Sequence, residues 1–247
     1  MIYIYVIVLG LVQGLTEFLP VSSSGHLILL ENLFDKPSLF FNVMLHFATL
    51  MSVIVVMRKR IKDLILHPLT KTNLFILLSM IPTGLIAFVI KLHFPRLLDG
   101  TLLPFGFLVT SALLILPTLS GKSRNLNAKT SFSAGIAQGI AVLPGISRSG
   151  AVISVLTVLG VPDNESAEFA FLMSIPIIIG STAVELLSAE RIFIGELFPV
   201  LLGMCVAFVS GTFALKFMLG KLNGKNLARF APYTFTLSAL SYVLAQL

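Results

Sequence analysis

Long apolar runs alternate with short polar connections along this chain. A helix that crosses a bilayer needs about 20 mostly apolar residues, and windows of that kind lie near 39–57, 73–93, 101–120, 167–188, 195–218 and 231–247. These predict six crossings. The apolar stretches 2–34 and 131–162 are each cut in the middle by a cluster rich in Gly, Pro and Ser, around Leu19-Pro20 and Pro144-Gly145. Proline ends a helix, and irregular backbone is tolerated at membrane depth only where protein satisfies it. Each stretch is therefore predicted as a re-entrant helical hairpin that enters and leaves on one side. The fold class expected is an all-α integral membrane protein with six transmembrane helices and two re-entrant hairpins.

The two hairpins resemble each other. QGLTEFLPVSSSGH at 13–26 is echoed by QGIAVLPGISRSG at 138–150, and FATLMSVI at 47–54 by FAFLMSIP at 169–176. Three predicted crossings separate the hairpins, and an odd number inverts the second half relative to the first. The expected organisation is one membrane domain, residues 1–247, made of an inverted-topology repeat: repeat one about 1–120, repeat two about 131–247. Such repeats place a site where their discontinuous helices meet near the midplane.

Composition supports the membrane reading. Charged residues make up 11% of the chain and the apolar set 56%, with a mean hydropathy of +0.99, against about 25% charged in soluble domains. The net charge of +6 is not gathered into one basic patch, so nucleic acid is not an expected partner. Instead, 12 of the 17 basic residues lie in loops 58–71 and 121–129 and in the stretch 216–229. The positive-inside rule makes these three cytoplasmic in a multi-pass protein of the cell (inner) membrane. The N-terminal MIYIYVIVLGLV lacks the basic region of a secretory signal. The single cysteine, Cys205, excludes a disulfide framework and reads as a buried small hydrophobe.

The polar groups inside apolar segments carry the chemistry. Gln13 and Glu17 are four apart and share a helix face; a carboxylate at membrane depth costs about 3 kcal/mol and marks a pathway or a site. Ser22, Ser23, Ser24 and His26 follow the first break. Behind the second, Gly145 loosens backbone N–H groups ahead of Ser147, Arg148 and Ser149. A guanidinium that forks onto phosphate oxygens, serine hydroxyls and helix N-termini together suit a phosphate. Gln13 and Glu17 offer oxygen to a hard divalent cation that would bridge a diphosphate. His26, able to change charge near neutrality, is a candidate acid or base toward Ser23 or Ser22, and direct attack by water is the competing chemistry. His46 reads as a hydrogen-bonded core residue, His67 and His93 as boundary residues, and Glu168 as a helix-start carboxylate that could support the site. Composition and repeat alone also suit a transporter or flippase of a lipid phosphate.

At both tips the sequence resembles the undecaprenyl-diphosphate phosphatase family, the bacitracin-resistance type of integral membrane phosphatase. The family's first motif, Gln or Glu, three residues, then Glu, matches Gln13 and Glu17, and the likeness continues to His26. Its second, Pro-Gly-x-Ser-Arg-Ser-x-x-Thr, matches Pro144, Gly145, Ser147, Arg148 and Ser149, with Val152 in place of the final Thr. The likeness extends over essentially the whole chain, including Ser-Ala-Glu-Phe at 166–169. The resemblance implies hydrolysis of undecaprenyl diphosphate to undecaprenyl phosphate and inorganic phosphate, which recycles the carrier lipid of cell-wall polymers. It also implies a homodimer and use of Mg2+ or Ca2+ at Gln13 and Glu17. Carried over by position, it makes Glu17, Ser23, His26 and Arg148 catalytic, with Gln13, Ser22, Ser147 and Ser149 around the substrate; Ser24 and Gly145 in the same tips are expected to line it. Lipid phosphatases related to acid phosphatases also contain Ser-Gly-His, but their Arg-Pro motif and the His that follows their Ser-Arg are missing here.

Overall fold

The computed structural model describes residues 2–31, 39–119, 125–188, 197–221 and 224–246. Lys122 and Arg124, counted above among the basic residues of loop 121–129, lie outside them. Among the described residues every regular element is helical. The chain runs through α1 (Ile2–Phe18), α2 (Ser23–Glu31), α3 (Leu39–Val56), α4 (Arg58–Leu66), α5 (Lys71–His93) and α6 (Leu103–Ile115). It continues through α7 (Ala128–Ile140), α8 (Arg148–Val158), α9 (Asp163–Ser188), α10 (Leu197–Lys221), α11 (Gly224–Ala228) and α12 (Ala231–Leu244).

Local chemistry sets the ends. Thr70 accepts a hydrogen bond from the Asn73 N–H to start α5, Asn127 and Thr130 form a reciprocal capping box at α7, and Ser147 caps α8. Both predicted breaks occur: α1 stops at Phe18, before Leu19-Pro20, and α7 at Ile140, before Pro144-Gly145. In each case the next helix packs back against the one before, α2 on α1 and α8 on α7, so both stretches are helical hairpins.

Three described helices are long and apolar enough to cross a membrane: α5, α9 over Asp163–Val184, and α10 over Leu197–Gly220. This is coarser than the six crossings expected. α3 meets the test only together with α4, across an 80° bend at Met57. The helix that begins at Leu103 ends with a 3-10 turn at Leu119, and α12 holds 14 residues, so the windows at 101–120 and 231–247 contain shorter helices than expected. Leu74, Leu77, Ile81, Leu85, Phe88 and Leu92 line the exposed face of α5 at helical spacing. Such an apolar stripe marks contact with lipid, and the chain is a multi-pass membrane protein.

Two expectations change here. Residues 58–66, expected as part of a loop, form α4: Ile61, Leu64 and Ile65 recur at helical spacing without Gly or Pro, and Ile61 and Leu64 pack on the main core. Cys205, expected buried, is exposed on α10. The small residues Gly203, Ala207, Ser210 and Gly211 turn toward α1 and α3, and Cys205, two residues from Gly203 and Ala207, points the other way.

The main core joins α1, α3, α8, α9 and α10 through Phe18, Val53, Leu156, Phe169, Met173 and Leu215. Close helix approach depends on glycine. A Cβ on Gly14 would run into the Ser210 hydroxyl and the Ala207 carbonyl of α10; one on Gly135 would run into the Ser79 carbonyl of α5. Thus α1 lies against α10 and α7 against α5, while α6 pairs with α12. That last pair is fastened twice: Ser111 donates to the Ala231 carbonyl (2.9 Å) and Ser238 to the Pro104 carbonyl (2.7 Å).

Candidate functional site

The packing of α1 on α3, of α3 and α8 on α9, and of α7 on α8 brings the two tips together. In the first, Ser22 takes a left-handed conformation (φ 70°), and its hydroxyl accepts from the Gly25 N–H at 3.3 Å. In the second, Gly145 is left-handed (φ 88°), and the Ser147 hydroxyl accepts from the Gly150 N–H at 3.1 Å. A Cβ on Gly25 would meet the Phe107 ring and, at 3.1 Å, the Gly145 Cα; one on Gly150 would lie 3.2 Å from Pro20. Glycine at these positions lets each tip approach the other. Thr110 of α6, 1% exposed, holds the second tip from behind: its hydroxyl donates to the Gly145 carbonyl (2.7 Å) and accepts from the Ser147 N–H (3.0 Å).

Glu17 is where the tips meet. Its side chain is 5% exposed. One carboxylate oxygen accepts from Arg148 Nη2 at 2.6 Å; the other accepts from the Ser23 hydroxyl at 2.6 Å and from Gln13 Nε2 at 3.0 Å. The Gln13 amide also donates to His46 Nδ1 at 3.0 Å, which leaves that nitrogen 3.6 Å from Glu17. A buried carboxylate is costly unless paired and hydrogen-bonded, and here both conditions are met. Beside this cluster is a cavity of about 210 Å³, with Glu17, Ser22, Ser23, Ser24, Ser147 and Arg148 in its wall. A second, small pocket of about 20 Å³ is walled by Glu17, Arg148 and Ser149 among others.

Not every expected residue reaches the cavity. His26 does not face Ser23: its Nδ1 lies 2.7 Å from the Ser22 carbonyl, which can only accept, and its Nε2 lies 2.7 Å from the Tyr233 hydroxyl of α12. The Ser23 hydroxyl turns to Glu17 instead. Gly145 shapes the second tip, and Val152, at the place of the family's Thr, is buried in the main core. Glu168 stands apart from the site, ion-paired with Arg60. His46 is hydrogen-bonded as expected, to Gln13, but it lines the cavity instead of the core because α3 packs beside α1 at the level of Gln13.

Gln138, Thr83, Thr110 and Tyr233 complete the surroundings. The repeat could have found Gln138, which opens the second echo as Gln13 opens the first. Nothing in the linear sequence pointed to Thr110 or Tyr233, whose partners are 35 and 207 residues away.

A divalent cation fits this donor set only in part. Gln13 Oε1 is buried without a hydrogen-bond partner and is free to face a cation, whereas both Glu17 oxygens are engaged. Among the described residues no group of three or more His, Cys, Asp or Glu side chains could hold a metal ion. Mg2+ and Ca2+ take six or more oxygens, so most ligands would have to come from the substrate's phosphates and water.

Comparison with known proteins shows the family. Residues 6–240 match the family described as bacitracin resistance protein BacA. The chain is 39% identical to an undecaprenyl-diphosphatase of Carboxydothermus hydrogenoformans, over 96% of this chain and 95% of the relative. It is 39% identical to the undecaprenyl-diphosphatase of Christiangramia forsetii, over 97% and 98%, and 34% identical to that of Korarchaeum cryptofilum, over 92% and 93%. With both tip motifs in place and the match running nearly end to end, this chain belongs to the bacitracin resistance protein BacA family.

Proposed function

We propose that this protein is an undecaprenyl-diphosphate phosphatase, which hydrolyses undecaprenyl diphosphate to undecaprenyl phosphate and inorganic phosphate and so confers resistance to bacitracin. The observation that carries the mechanism is the short Ser23–Glu17–Arg148 chain at the wall of the cavity. The prenyl tail stays in lipid while the diphosphate enters between the tips. Arg148 keeps guanidinium N–H groups for the phosphate beyond the one given to Glu17, and the Ser22, Ser24, Ser147 and Ser149 hydroxyls lie around it. Glu17 takes the proton of Ser23 as its oxygen attacks the terminal phosphorus. The bridging P–O bond breaks, and undecaprenyl phosphate leaves with the proton. Water then attacks the phosphoserine; Glu17 takes its proton and returns it to Ser23, releasing phosphate. Gln13 orients Glu17. His26 acts through the first tip, where it holds the carbonyl of the left-handed Ser22 and so the direction of Ser23.

Gln13 and Glu17 would hold a Mg2+ or Ca2+ ion brought in on the diphosphate, and the ion would neutralise part of the phosphate charge. The fuller architecture in this reading is six crossings and two re-entrant hairpins in one domain of two inverted halves. Its support is the paired geometry: Ser238 and Ala231 stand 127 residues after Ser111 and Pro104 and exchange their hydrogen bonds, and the caps of the two tips repeat. The basic segments 58–71, 121–129 and 216–229 face the cytoplasm of the inner membrane. A homodimer rests on the family resemblance.

The test is phosphate release from undecaprenyl diphosphate by the purified protein in detergent, with Glu17→Ala and Ser23→Ala as variants. Release that both variants lose, together with a covalent phosphate trapped on Ser23 by a rapid quench, is expected. Release without any trapped phosphate replaces the serine route with direct water attack. Binding without release makes the protein a transporter or flippase of the lipid.

A further inference from the structure

The two glutamines that open the echoed motifs are both almost completely buried, Gln13 at 0% and Gln138 at 3% exposure. Each leaves its amide incompletely satisfied. Gln13 spends its N–H groups on Glu17 and His46, and its Oε1 is left over; Gln138 has a buried Nε2 without a partner. A buried donor with nothing to donate to is costly, and folded proteins keep few of them. Gln138 also stands in a particular place. It lines both the main cavity and the small pocket beside it, and Glu17 and Arg148 are the other side chains common to the two walls.

The chemistry of the neighbourhood decides what would satisfy that donor. Glu17 is already bonded by Arg148, Ser23 and Gln13, so it has no need of a further N–H. The Arg148 guanidinium beside it attracts anions. With no protein group among the described residues to fix it, the Gln138 amide can turn its N–H toward an acceptor that enters the cavity. We infer that Gln138 is a substrate-binding residue, whose amide N–H donates to a phosphate oxygen of the diphosphate held by Arg148. This rests on the phosphatase reading above and adds a contact outside the Pro-Gly-x-Ser-Arg-Ser-x-x-Thr motif. The repeat has divided one residue type between two tasks: Gln13 serves the carboxylate, and Gln138 serves the anion.

Full-length protein in detergent tests this with Gln138→Met, similar in length and unable to donate, and with inorganic pyrophosphate as the probe. Two readouts are needed: the inhibition constant of pyrophosphate against phosphate release, and the melting temperature without ligand. A binding role predicts that pyrophosphate binds about tenfold more weakly to the variant, the equivalent of about 1.4 kcal/mol. The ligand-free melting temperature should stay or rise, because an orphaned polar group has been replaced by an apolar one. Gln138→Glu, which sets a carboxylate against the phosphate, should weaken binding further. An unchanged inhibition constant in Gln138→Met overturns the inference. So does a lower melting temperature, whatever happens to binding, because Gln138 would then be supporting the fold. If the wild type releases no phosphate, the phosphatase reading fails by itself. The stabilisation of wild type and variant by pyrophosphate, read as a shift in melting temperature, still decides whether Gln138 binds the anion.

Discussion

Replacing Arg148 by lysine probes the site at its most constrained contact. The guanidinium lies 2.6 Å from a carboxylate oxygen of Glu17, with the two side chains 25% and 5% exposed. Removing the charge altogether, as in Arg148→Met, would leave Glu17 buried beside an apolar group, a defect of about 3–5 kcal/mol. Stability and activity would fall together and could not be separated. Lysine keeps the positive charge and can still meet Glu17, so the fold should be little affected. It has one ammonium where arginine has a planar fork, and it cannot hold Glu17 and grip two phosphate oxygens in fixed geometry. Losing one charge-assisted hydrogen bond to the phosphate costs about 1.5–3 kcal/mol, which is roughly a 10- to 150-fold fall in kcat/KM at about 1.4 kcal/mol per tenfold. The assay is phosphate release from undecaprenyl diphosphate in detergent micelles. The chain has no tryptophan, so stability is followed by far-ultraviolet circular dichroism. The expected result is a large loss of kcat/KM at an unchanged melting temperature. Arg148→Lys with the turnover of the wild type would refute the assignment of Arg148 as phosphate clamp.

Further outcomes test the helix packing and the cation. Gly14→Ala forces a methyl group against Ser210 and the Ala207 backbone where α1 meets α10; it should destabilise the protein by about 1–3 kcal/mol, seen as a lower melting temperature. Gly84→Ala, where a Cβ meets nothing within 4 Å, is the control and should change little. Chelation with EDTA should lower phosphate release and added Mg2+ or Ca2+ should restore it; Gln13→Leu should raise the cation concentration needed, and a rate indifferent to chelator removes the cation from the mechanism.

The two hairpins were legible in the sequence because they are written in local terms. Leu19-Pro20 and Pro144-Gly145 interrupt apolar runs beside Gly and Ser, and there the helices stop, whereas α5 and α9 continue through the isolated Pro82 and Pro176. The motif residues were legible for a related reason: a carboxylate and a guanidinium in apolar segments are expensive, so Glu17 and Arg148 stand out on the linear chain. The errors came where the sequence carries charge without direction. Five basic residues within 58–71 read as a loop, yet Ile61, Leu64 and Ile65 among them build a helix that turns 80° from α3. Glu168 reads as a support for the site because it stands at the start of a predicted crossing. In the folded chain it is paired with Arg60 away from the cavity.

Composition and pattern, then, determined the solvent, the helical class, the two broken hairpins and the candidates within them, since each follows from free energies of single residues in lipid. Tertiary structure decided which of these candidates touch. Ser23 and His26 are three residues apart and read as a pair, but the left-handed backbone at Ser22 sends the hydroxyl to Glu17 and leaves the imidazole to Tyr233. Glu17 and Arg148 are 131 residues apart, and the packing of α1 on α3, of α3 and α8 on α9, and of α7 on α8 closes them to 2.6 Å. A hydrogen bond depends on position to within a fraction of an ångström, and position across such a separation is a property of the whole packed chain.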